Sequence, residues 1–399
     1  MGKLDKIFDS AVNHSLFQDK FVLQTNYNPD AIPHRDKQIE QVAGILAPAL
    51  RGERTSNLFV YGQTGTGKTL SIQYVKNEML KRMVKKDFEL RIEYINCKMR
   101  KVADTEYRIL AELVKKFGGS VPATGLPTDQ VYNKFIELIE VDNNLIILVL
   151  DEVDQAVKKI SDNFLYNLTR LNSELNKAQI SLVGISNDLK FLDNIDPRVK
   201  SSLGEEEVVF PPYNAVQLQG ILKTRAEIAF KKGVMEEGVI AKCSAFAARE
   251  HGDARRALDL LRVAGELAER DGSGKIMLKH VDLANDKMDR DKILDVVQTA
   301  PKQFQITLFA IINLVRSRQY HKIFTGDVYN VYQELCRRYS TDILTQRRIS
   351  DIIAEFDMLG LINAKVVSKG RHGRTREIKL SIPDPVIEKV SRILNESLT

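Results

Sequence analysis

A glycine-rich stretch at residues 62–69, Gly-Gln-Thr-Gly-Thr-Gly-Lys-Thr, has the residue types and spacing of a phosphate-binding loop. Such a loop wraps its backbone around a phosphate, and its N–H groups point inward as an anion nest. Lys68 is placed to reach the β- and γ-phosphates of a nucleotide, and Thr69 to ligate Mg²⁺. The stretch therefore predicts a site for ATP or ADP with Mg²⁺. The loop residues expected to hold it are Gly62, Gly65, Thr66, Gly67, Lys68 and Thr69.

An acidic pair follows a strongly apolar run further along the chain. Residues 145–150 are all Leu, Ile or Val, which predicts a strand buried on both faces, and Asp151 and Glu152 follow it. Ligands of α/β sheets bind at the carboxyl ends of such strands. Asp151 suits Mg²⁺, and Glu152 suits polarising the water that attacks the γ-phosphate. The alternative for these acidic residues is capping of the next helix.

Two further polar residues are candidates for the same site. A strand predicted over residues 179–187 ends in Asn187, which we expect to project toward the phosphates. Arg255 falls in the first turn of a predicted helix whose N-cap is Asp253. A cation there opposes the helix dipole unless an anion faces it, so Arg255 is either a phosphate contact or a plain surface arginine.

Strands and helices alternate around these residues, which predicts an α/β core with a parallel sheet flanked by helices. We place an N-terminal arm at residues 1–24, this nucleotide-binding core at 25–211, and an all-α lid at 212–294. The Pro211–Pro212 pair marks the boundary between core and lid. One helix is expected over residues 161–177.

Two stretches of the core leave alternatives open. Residues 36–50 read as an apolar helix shortened by Pro48, which could line an adenine pocket or simply pack on the sheet. The stretch around Arg100 and Lys101, continuing into a helix predicted over 105–117, is strongly basic. It is either a DNA-contacting insertion or a helix solvated by its charges.

Residues 295–399 predict a different domain, a winged helix-turn-helix. Helices are expected over 302–318, 325–339 and 345–359, followed by strands over 361–367 and 376–381. Between Pro301 and Thr399 there are 16 Lys and Arg residues against 10 Asp and Glu residues, which accounts for the net charge of +6. A basic excess confined to one region favours a polyanionic partner.

Two groups of residues are candidate DNA contacts in this domain. A recognition helix presents its first residues to the major groove, and an arginine-bearing wing suits phosphates or the minor groove. Docking of another protein is the alternative for this domain. The candidates are Gln346, Arg347 and Arg348 at the helix start, and Lys369, Arg371, His372, Arg374 and Arg376 in the wing.

Composition excludes several classes of protein. Of the 399 residues, 43% are hydrophobic, but no run of about 18 apolar residues occurs to span a membrane. Cys97, Cys243 and Cys336 lie far apart without a CxxC pair, which suits a reducing interior and gives no zinc framework. We expect a cytoplasmic protein, associated with the nucleoid through its DNA.

Taken together, these motifs resemble the AAA+ ATPases, and among them the archaeal replication initiators related to the origin recognition complex and the helicase-loading cell-division-cycle factor. The resemblance rests on residues 62–69 (Walker A), 150–152 (Walker B), Asn187 (sensor 1) and 252–255 (sensor 2). It runs from residue 32 to the C-terminal winged helix. The order of core, lid and winged helix is that of the family.

The resemblance implies further site residues. Ile32 and Arg35 would border the adenine, and Tyr213 and Arg225 would contact the nucleotide from the lid junction. Arg198 matches the position of an arginine finger. The basic insertion would touch DNA.

The family implies an ATP-switched protein that binds double-stranded origin DNA, helps recruit or load the replicative helicase, and uses slow hydrolysis as a timer. Paralogous initiators on the same DNA are further candidate partners. The alternative is a signalling-type P-loop ATPase that acts as a winged-helix transcription regulator; that class usually adds a long sensor-repeat region. A clamp-loader subunit, with a helical collar instead of a wing, fits less well.

Overall fold

The computed structural model describes residues 15–83, 88–98, 105–122, 125–141, 144–317, 322–368 and 374–398. The chain forms two compact units, Met1–Val281 and Asp282–Thr399. Each unit has an apolar core of its own. Within the described residues, every helix is too short or too polar to cross a bilayer.

The first unit is built on a five-stranded parallel sheet with the strand order β2-β3-β4-β1-β5. All the strands run in one direction, so their carboxyl ends meet at one edge of the sheet, where α/β proteins bind ligands. This confirms the predicted parallel α/β core. The strands are β1 Asn57–Tyr61, β2 Glu89–Asn96, β3 Asn144–Asp151, β4 Gln179–Ser186 and β5 Glu205–Val209.

The interior position of β3 in the sheet explains its continuous apolar run. Ile146, Leu148 and Leu150 pack into the core on one face of the sheet. Leu145, Ile147 and Val149 pack into the core on the other. Because successive side chains of a strand point to opposite faces, a strand covered on both sides needs an apolar residue at every position.

Ten helices lie in the described part of the first unit. They are α1 Asp36–Leu46, α2 Lys68–Lys81, α3 Glu106–Lys116, α4 Thr128–Ile139, α5 Val153–Lys159, α6 Asn163–Arg170, α7 Pro197–Leu203, α8 Ala215–Ala229, α9 Val239–Arg249 and α10 Ala254–Arg270. The last three lie within the predicted lid, residues 212–294.

The single helix predicted over residues 161–177 is wrong. Helix α6 ends at Arg170, and a short 3-10 turn follows. The Asn172 side chain bonds both the N–H and the carbonyl of Ile180, at distances of 2.7 and 2.9 Å. Asn172 therefore ties the chain to β4 at the point where a longer helix would have to continue.

Residues 15–23 pack on the lid helices. The rings of Phe17 and Phe230 pack at a tilt, with their centroids 4.7 Å apart. Glu269 accepts hydrogen bonds from the Ser15 hydroxyl and the Leu16 N–H, both at 2.8 Å. The segment from residue 24 onward thus starts from an anchored position on the lid.

The second unit is a winged helix. Helix α11 spans Leu278–Thr299, most of it within this unit. An antiparallel sheet of order β6-β8-β7 carries the wing. The other elements are α12 Lys302–Ser317, β6 Ile323–Phe324, α13 Thr325–Arg338, α14 Gln346–Met358, β7 Ile362–Ser368, β8 Arg374–Leu380 and α15 Asp384–Leu398.

Helix α15 was not among the predicted elements, although its signal is present in the sequence. Val386, Val390, Leu394 and Leu398 recur every four residues and are all buried in the core of the second unit. This spacing puts them on one face of a helix.

Candidate nucleotide site and DNA-facing surface

A cavity of about 720 Å³ opens at the carboxyl edge of the parallel sheet and reaches the lid. It brings together most of the predicted nucleotide-binding and catalytic residues. Gly62, Arg35 and Arg198 are not among the residues that line it. The predicted residues that do are Ile32, Gly65, Thr66, Gly67, Lys68, Thr69, Asp151, Glu152, Asn187, Tyr213, Arg225 and Arg255.

Lys68 begins helix α2 and joins two parts of the site. Its ammonium group donates to the carbonyls of Gly62 (2.7 Å) and Gln63 (2.8 Å) and to Oδ1 of Asn187 (2.8 Å). Burial lowers the pKa of Lys68 to about 8, and the charge of Asp151 offsets this effect only in part. The phosphate loop is therefore bonded directly to the end of β4.

Two hydroxyl groups converge on one oxygen of Asp151. The Thr69 hydroxyl donates to Oδ2 of Asp151 at 2.9 Å, and the Tyr94 hydroxyl donates to the same atom. Mg²⁺ prefers hard oxygen ligands and keeps several waters. Thr69 and Asp151 thus present the donor set that fits Mg²⁺ beside a nucleotide.

Glu152 has an unusual backbone and a cationic partner. Its φ of +54° is in the left-handed region, which residues other than glycine seldom adopt. Its carboxylate lies 3.5 Å from Nζ of Lys98, in the turn that follows β2. The backbone turn at the end of β3 thus leaves this carboxylate in the cavity beside a lysine.

The lid touches the phosphate loop through the start of α10. Asp253 caps this helix by accepting from the N–H groups of Arg255 (2.8 Å) and Arg256 (3.4 Å), as predicted. The Ala254 N–H donates to the Gly65 carbonyl at 3.2 Å. Arg255 is exposed and close enough to Lys68 for its charge to lower the pKa of that lysine. Arg255 thus faces the place where phosphate would bind.

Residues 24–33 form another wall of the cavity, together with lid residues of α8. The Arg225 guanidinium lies over the Tyr27 ring, 4.4 Å from its centroid, which couples the wall to the lid. Helix α1 was a candidate for lining an adenine pocket, but among the described positions it contributes no residue to the cavity lining. Its Val42 and Leu46 pack on the sheet instead.

Arg198 lies elsewhere on the first unit, in a shallow hollow with Tyr166 and Arg170. Its side chain is 83% exposed and forms a two-pronged pair with the Asp196 carboxylate, at 3.1 and 3.0 Å. At this position Arg198 is outside the cavity of its own chain.

The start of α14 is exposed in the winged helix. Gln346, Arg347 and Arg348 are all solvent-accessible, and Thr345 caps the helix by accepting from the Arg348 N–H. Gln346 and Arg347 border a hollow of about 400 Å³ between the helix and the wing strands. Polar side chains at the start of a recognition helix are the ones that reach base edges.

Arg376 is bonded to the recognition helix. From strand β8 it donates through Nη1 to the carbonyl of Ser350 (2.6 Å) and to its hydroxyl (2.8 Å). Arg376 thereby fixes the wing against α14. Lys369, Arg371, His372, Arg100 and Lys101 lie outside the described residues, as does the side chain of Arg374.

Several contacts in the site escaped sequence reasoning. Tyr94 at Asp151, Lys98 at Glu152 and Tyr27 at Arg225 each join residues from separate parts of the chain. Asp154 could have been predicted as part of the site, because it is the third acidic residue of the Asp-Glu-Val-Asp run that follows the apolar strand. Asp154 is buried and accepts from the Ser186 hydroxyl (3.2 Å) beside Asn187.

A phosphate loop between β1 and α2, an acidic end of β3, a helical lid and a winged helix define an AAA+ ATPase with a C-terminal winged-helix domain. Family models agree over three segments. Residues 51–192 match an AAA domain, residues 219–286 match a Cdc6 AAA+ ATPase-type lid domain, and residues 295–390 match the CDC6 C-terminal winged helix domain.

Relatives cover nearly the whole chain. An ORC1-type DNA replication protein 1 of Methanosarcina acetivorans is 50% identical over 395 residues, which is 98% of this chain and 94% of the relative. An ORC1-type DNA replication protein of Pyrococcus abyssi is 52% identical over 394 residues, covering 98% and 93%. The solved structure of the Aeropyrum pernix ORC1 protein in complex with DNA has a TM-score of 0.81 at 42% identity, covering 95% of this chain and 97% of that one. The chain therefore belongs to the ORC1/Cdc6-type archaeal replication initiators, which confirms the resemblance.

Proposed function

We propose that this protein binds origin DNA under the control of ATP and initiates replication there. The carrying observation is that one chain combines a cavity built for a nucleotide with a winged helix whose recognition-helix start is exposed. The family to which the chain belongs supports the same role.

In the nucleotide site, each residue has a role that follows from its position in the cavity. Lys68 and the loop N–H groups would hold the phosphates, and Thr69 with Asp151 would hold Mg²⁺, which would supply positive charge to neutralise the phosphates. Asn187 and Glu152 orient the attacking water, and Glu152 polarises it. Arg255 would contact the γ-phosphate and so couple its presence to the position of the lid. Ile32, Tyr213 and Arg225 would surround the base and sugar.

We propose that ATP hydrolysis is slow and serves as a switch. The Glu152 carboxylate is engaged by Lys98, and the Asn187 side chain is bonded to Lys68. Both contacts compete with contacts to the attacking water. Arg198 lies outside the cavity of its own chain, so its role as an arginine finger would be exerted on a neighbouring initiator.

DNA binding would rest on the winged helix. Gln346 and Arg347 are candidates for base edges, while Arg348 and the wing residues Lys369, Arg371, His372 and Arg374 are candidates for phosphates. Arg376 contributes by holding the wing. We propose a second contact at the core insertion around Arg100 and Lys101.

We further propose that the chain divides into segments 1–24, 25–211, 212–294 and 295–399, that the replicative helicase and paralogous initiators are its partners, and that it is associated with the nucleoid. Mapping the DNA bound in cells tests the main proposal. We expect binding at a replication start and loss of that binding in an Arg347→Ala strain. Occupancy confined to promoters would favour the transcription-regulator alternative.

A further inference from the structure

The side chain of Arg35 is almost completely buried, at 1% exposure, and it joins three segments of the first unit. Its Nε donates to the Thr66 carbonyl of the phosphate loop at 2.8 Å. Its Nη2 donates to the Pro211 carbonyl at 2.5 Å, in the linker between core and lid. The guanidinium carbon lies 3.8 Å from the centre of the Tyr213 ring. One guanidinium thus fastens the phosphate loop to the start of the lid.

The charge of Arg35 has no acidic counterpart among the described residues. It forms no ion pair there with an aspartate or glutamate, and its neighbours are two carbonyls, the Tyr213 hydroxyl and aromatic rings. A buried charge is costly unless it is paired. An anion bound in the adjacent loop would lower that cost, so the side chain favours phosphate at this place without touching it.

The packing around Gly67 shows how close these groups are to the loop. Gly67 has a φ of +87°, and a Cβ at this residue would lie 2.9 Å from the Tyr213 hydroxyl and 3.8 Å from Cγ of Arg35. Thr66, Gly67 and Tyr213 line the nucleotide cavity, but Arg35 does not. Arg35 therefore acts on the site through the residues that it holds.

We infer that Arg35 is a positioning residue for nucleotide binding: it holds the Thr66–Gly67 backbone and the Pro211–Tyr213 linker in one arrangement and adds a buried positive charge behind the loop. The inference rests on the proposed binding of ATP and ADP. The loop serves the phosphates that both nucleotides share, so loss of Arg35 weakens both alike. Loss of Arg255, by contrast, alters the preference for ATP over ADP.

The test measures the affinity of the full chain for Mg-ATP and Mg-ADP by calorimetry in four proteins: the parent, Arg35→Lys, Arg35→Met and Arg54→Met. Lysine keeps the charge but cannot bond two carbonyls as a planar fork. Arg54 is the matched control, because its Nε donates to the Ile180 carbonyl (3.1 Å) at the opposite edge of the same sheet.

We expect both Arg35 variants to lose roughly tenfold or more in affinity for each nucleotide, the loss typical of one charged hydrogen bond. The ATP-to-ADP ratio stays within about twofold of the parent, and Arg54→Met binds like the parent.

The remaining outcomes separate this inference from the proposed function. A parent protein that binds neither nucleotide refutes the proposed function itself. Folded Arg35 variants with parental affinity, or with a changed ATP-to-ADP ratio, overturn the positioning role alone. Thermal melting checks the fold: if Arg35→Met does not melt cooperatively, Arg35→Lys decides. If Arg35→Lys does not melt cooperatively either, Arg35 is required for folding and the inference is overturned.

Discussion

At the scale of single residues, the nucleotide site is a set of charged groups held by specific neighbours. Lys68 is bonded to three oxygens, Asp151 accepts from two hydroxyls, and Glu152 lies beside Lys98. The two hydroxyl contacts fix the Asp151 carboxylate before a ligand arrives, which lowers the entropy lost on binding. The contacts of Glu152 with Lys98 and of Asn187 with Lys68 have to be exchanged for contacts to the attacking water. The chemistry of the site should therefore respond sharply to a change of one group.

The first prediction concerns the charge of Lys68. Burial lowers its pKa from 10.5 to about 8, and a bound phosphate favours the charged form and raises the pKa again. Above about pH 8, ATP binding should therefore take up a proton and weaken with rising pH, by at most about tenfold per pH unit. Calorimetry in two buffers of different ionisation enthalpy measures the uptake. Proton uptake at pH 7 equal to that at pH 9 would contradict this assignment.

The stability of the folded protein changes with pH in the opposite direction to ATP binding. Between about pH 8 and 10.5 the unfolded chain binds more protons at this lysine than the folded protein does. The free energy of unfolding without nucleotide should therefore gain a favourable contribution from Lys68 as the pH rises through this range. Lys68→Ala removes that contribution and should also abolish ATP binding.

The second prediction concerns Glu152. Glu152→Gln keeps the size of the side chain but cannot polarise water, so the protein should bind ATP and hydrolyse it at least about a hundredfold more slowly. Single-turnover hydrolysis of labelled ATP measures the rate. Glu93→Gln is the control, because Glu93 lies on the neighbouring strand β2 and pairs with Lys116 (3.6 Å) outside the cavity. Wild-type hydrolysis by Glu152→Gln would remove Glu152 from the mechanism.

At the scale of elements, the site depends on where helices begin. Helix α2 starts at the phosphate loop, and α10 starts against it, with Ala254 bonded to Gly65. Gly65 has a φ of +73°, and a Cβ there would lie 1.7 Å from Oδ1 of Asp253. The close approach of the lid helix therefore requires glycine at this position. In the winged helix, Arg376 joins the wing to α14 in a comparable way.

The third prediction follows from this contact. Gly65→Ala should push the start of α10 away from the loop, lower the melting temperature and weaken ATP binding by roughly fivefold or more, since the Asp253 cap alone is worth about 1 kcal/mol. Gly204→Ala is the control, because Gly204 also has a positive φ (+48°) but has open space where a Cβ would lie. Equal nucleotide affinity in the two variants would show that the lid contact is dispensable.

At the scale of the whole molecule, the net charge is distributed unevenly along the chain. The basic excess lies in residues 301–399, whereas the first 300 residues are neutral overall. Polyanion binding is dominated by released counterions, so the basic region should set the salt dependence of DNA affinity. The nucleotide site belongs to the other compact unit.

The fourth prediction tests the DNA-facing surface. DNA affinity should fall with salt at a slope of about −0.9 in log–log form for each phosphate contact. Arg347→Ala should cost about 1–3 kcal/mol on the cognate site and relax specificity there, as expected for a base contact. Fluorescence anisotropy on cognate and scrambled duplexes measures both. The exposed Arg392 of α15 supplies the control, Arg392→Ala.

A second outcome of the same experiment concerns the wing. Arg371→Ala should lower affinity for both duplexes alike and reduce the salt slope by about one unit, because a phosphate contact carries no sequence information. If neither variant changes DNA affinity or its salt slope, the winged helix docks protein and the proposed origin binding fails.

The sequence alone determined the phosphate loop, the acidic end of β3 and, to within two residues, the bounds of β3, β4, β7 and β8. These features depend on local requirements, such as glycines for a tight anion nest and apolar residues at every position of a doubly covered strand. The tertiary structure decided the contacts between distant segments. Strand β2 pairs with β3 in a register that sets Tyr94 opposite Val149, and this brings the Tyr94 hydroxyl to Asp151. No spacing along the chain encodes that pairing. Arg35 is the clearest case, because the family resemblance placed it at the adenine, while its burial between Thr66 and Pro211 makes it part of the framework.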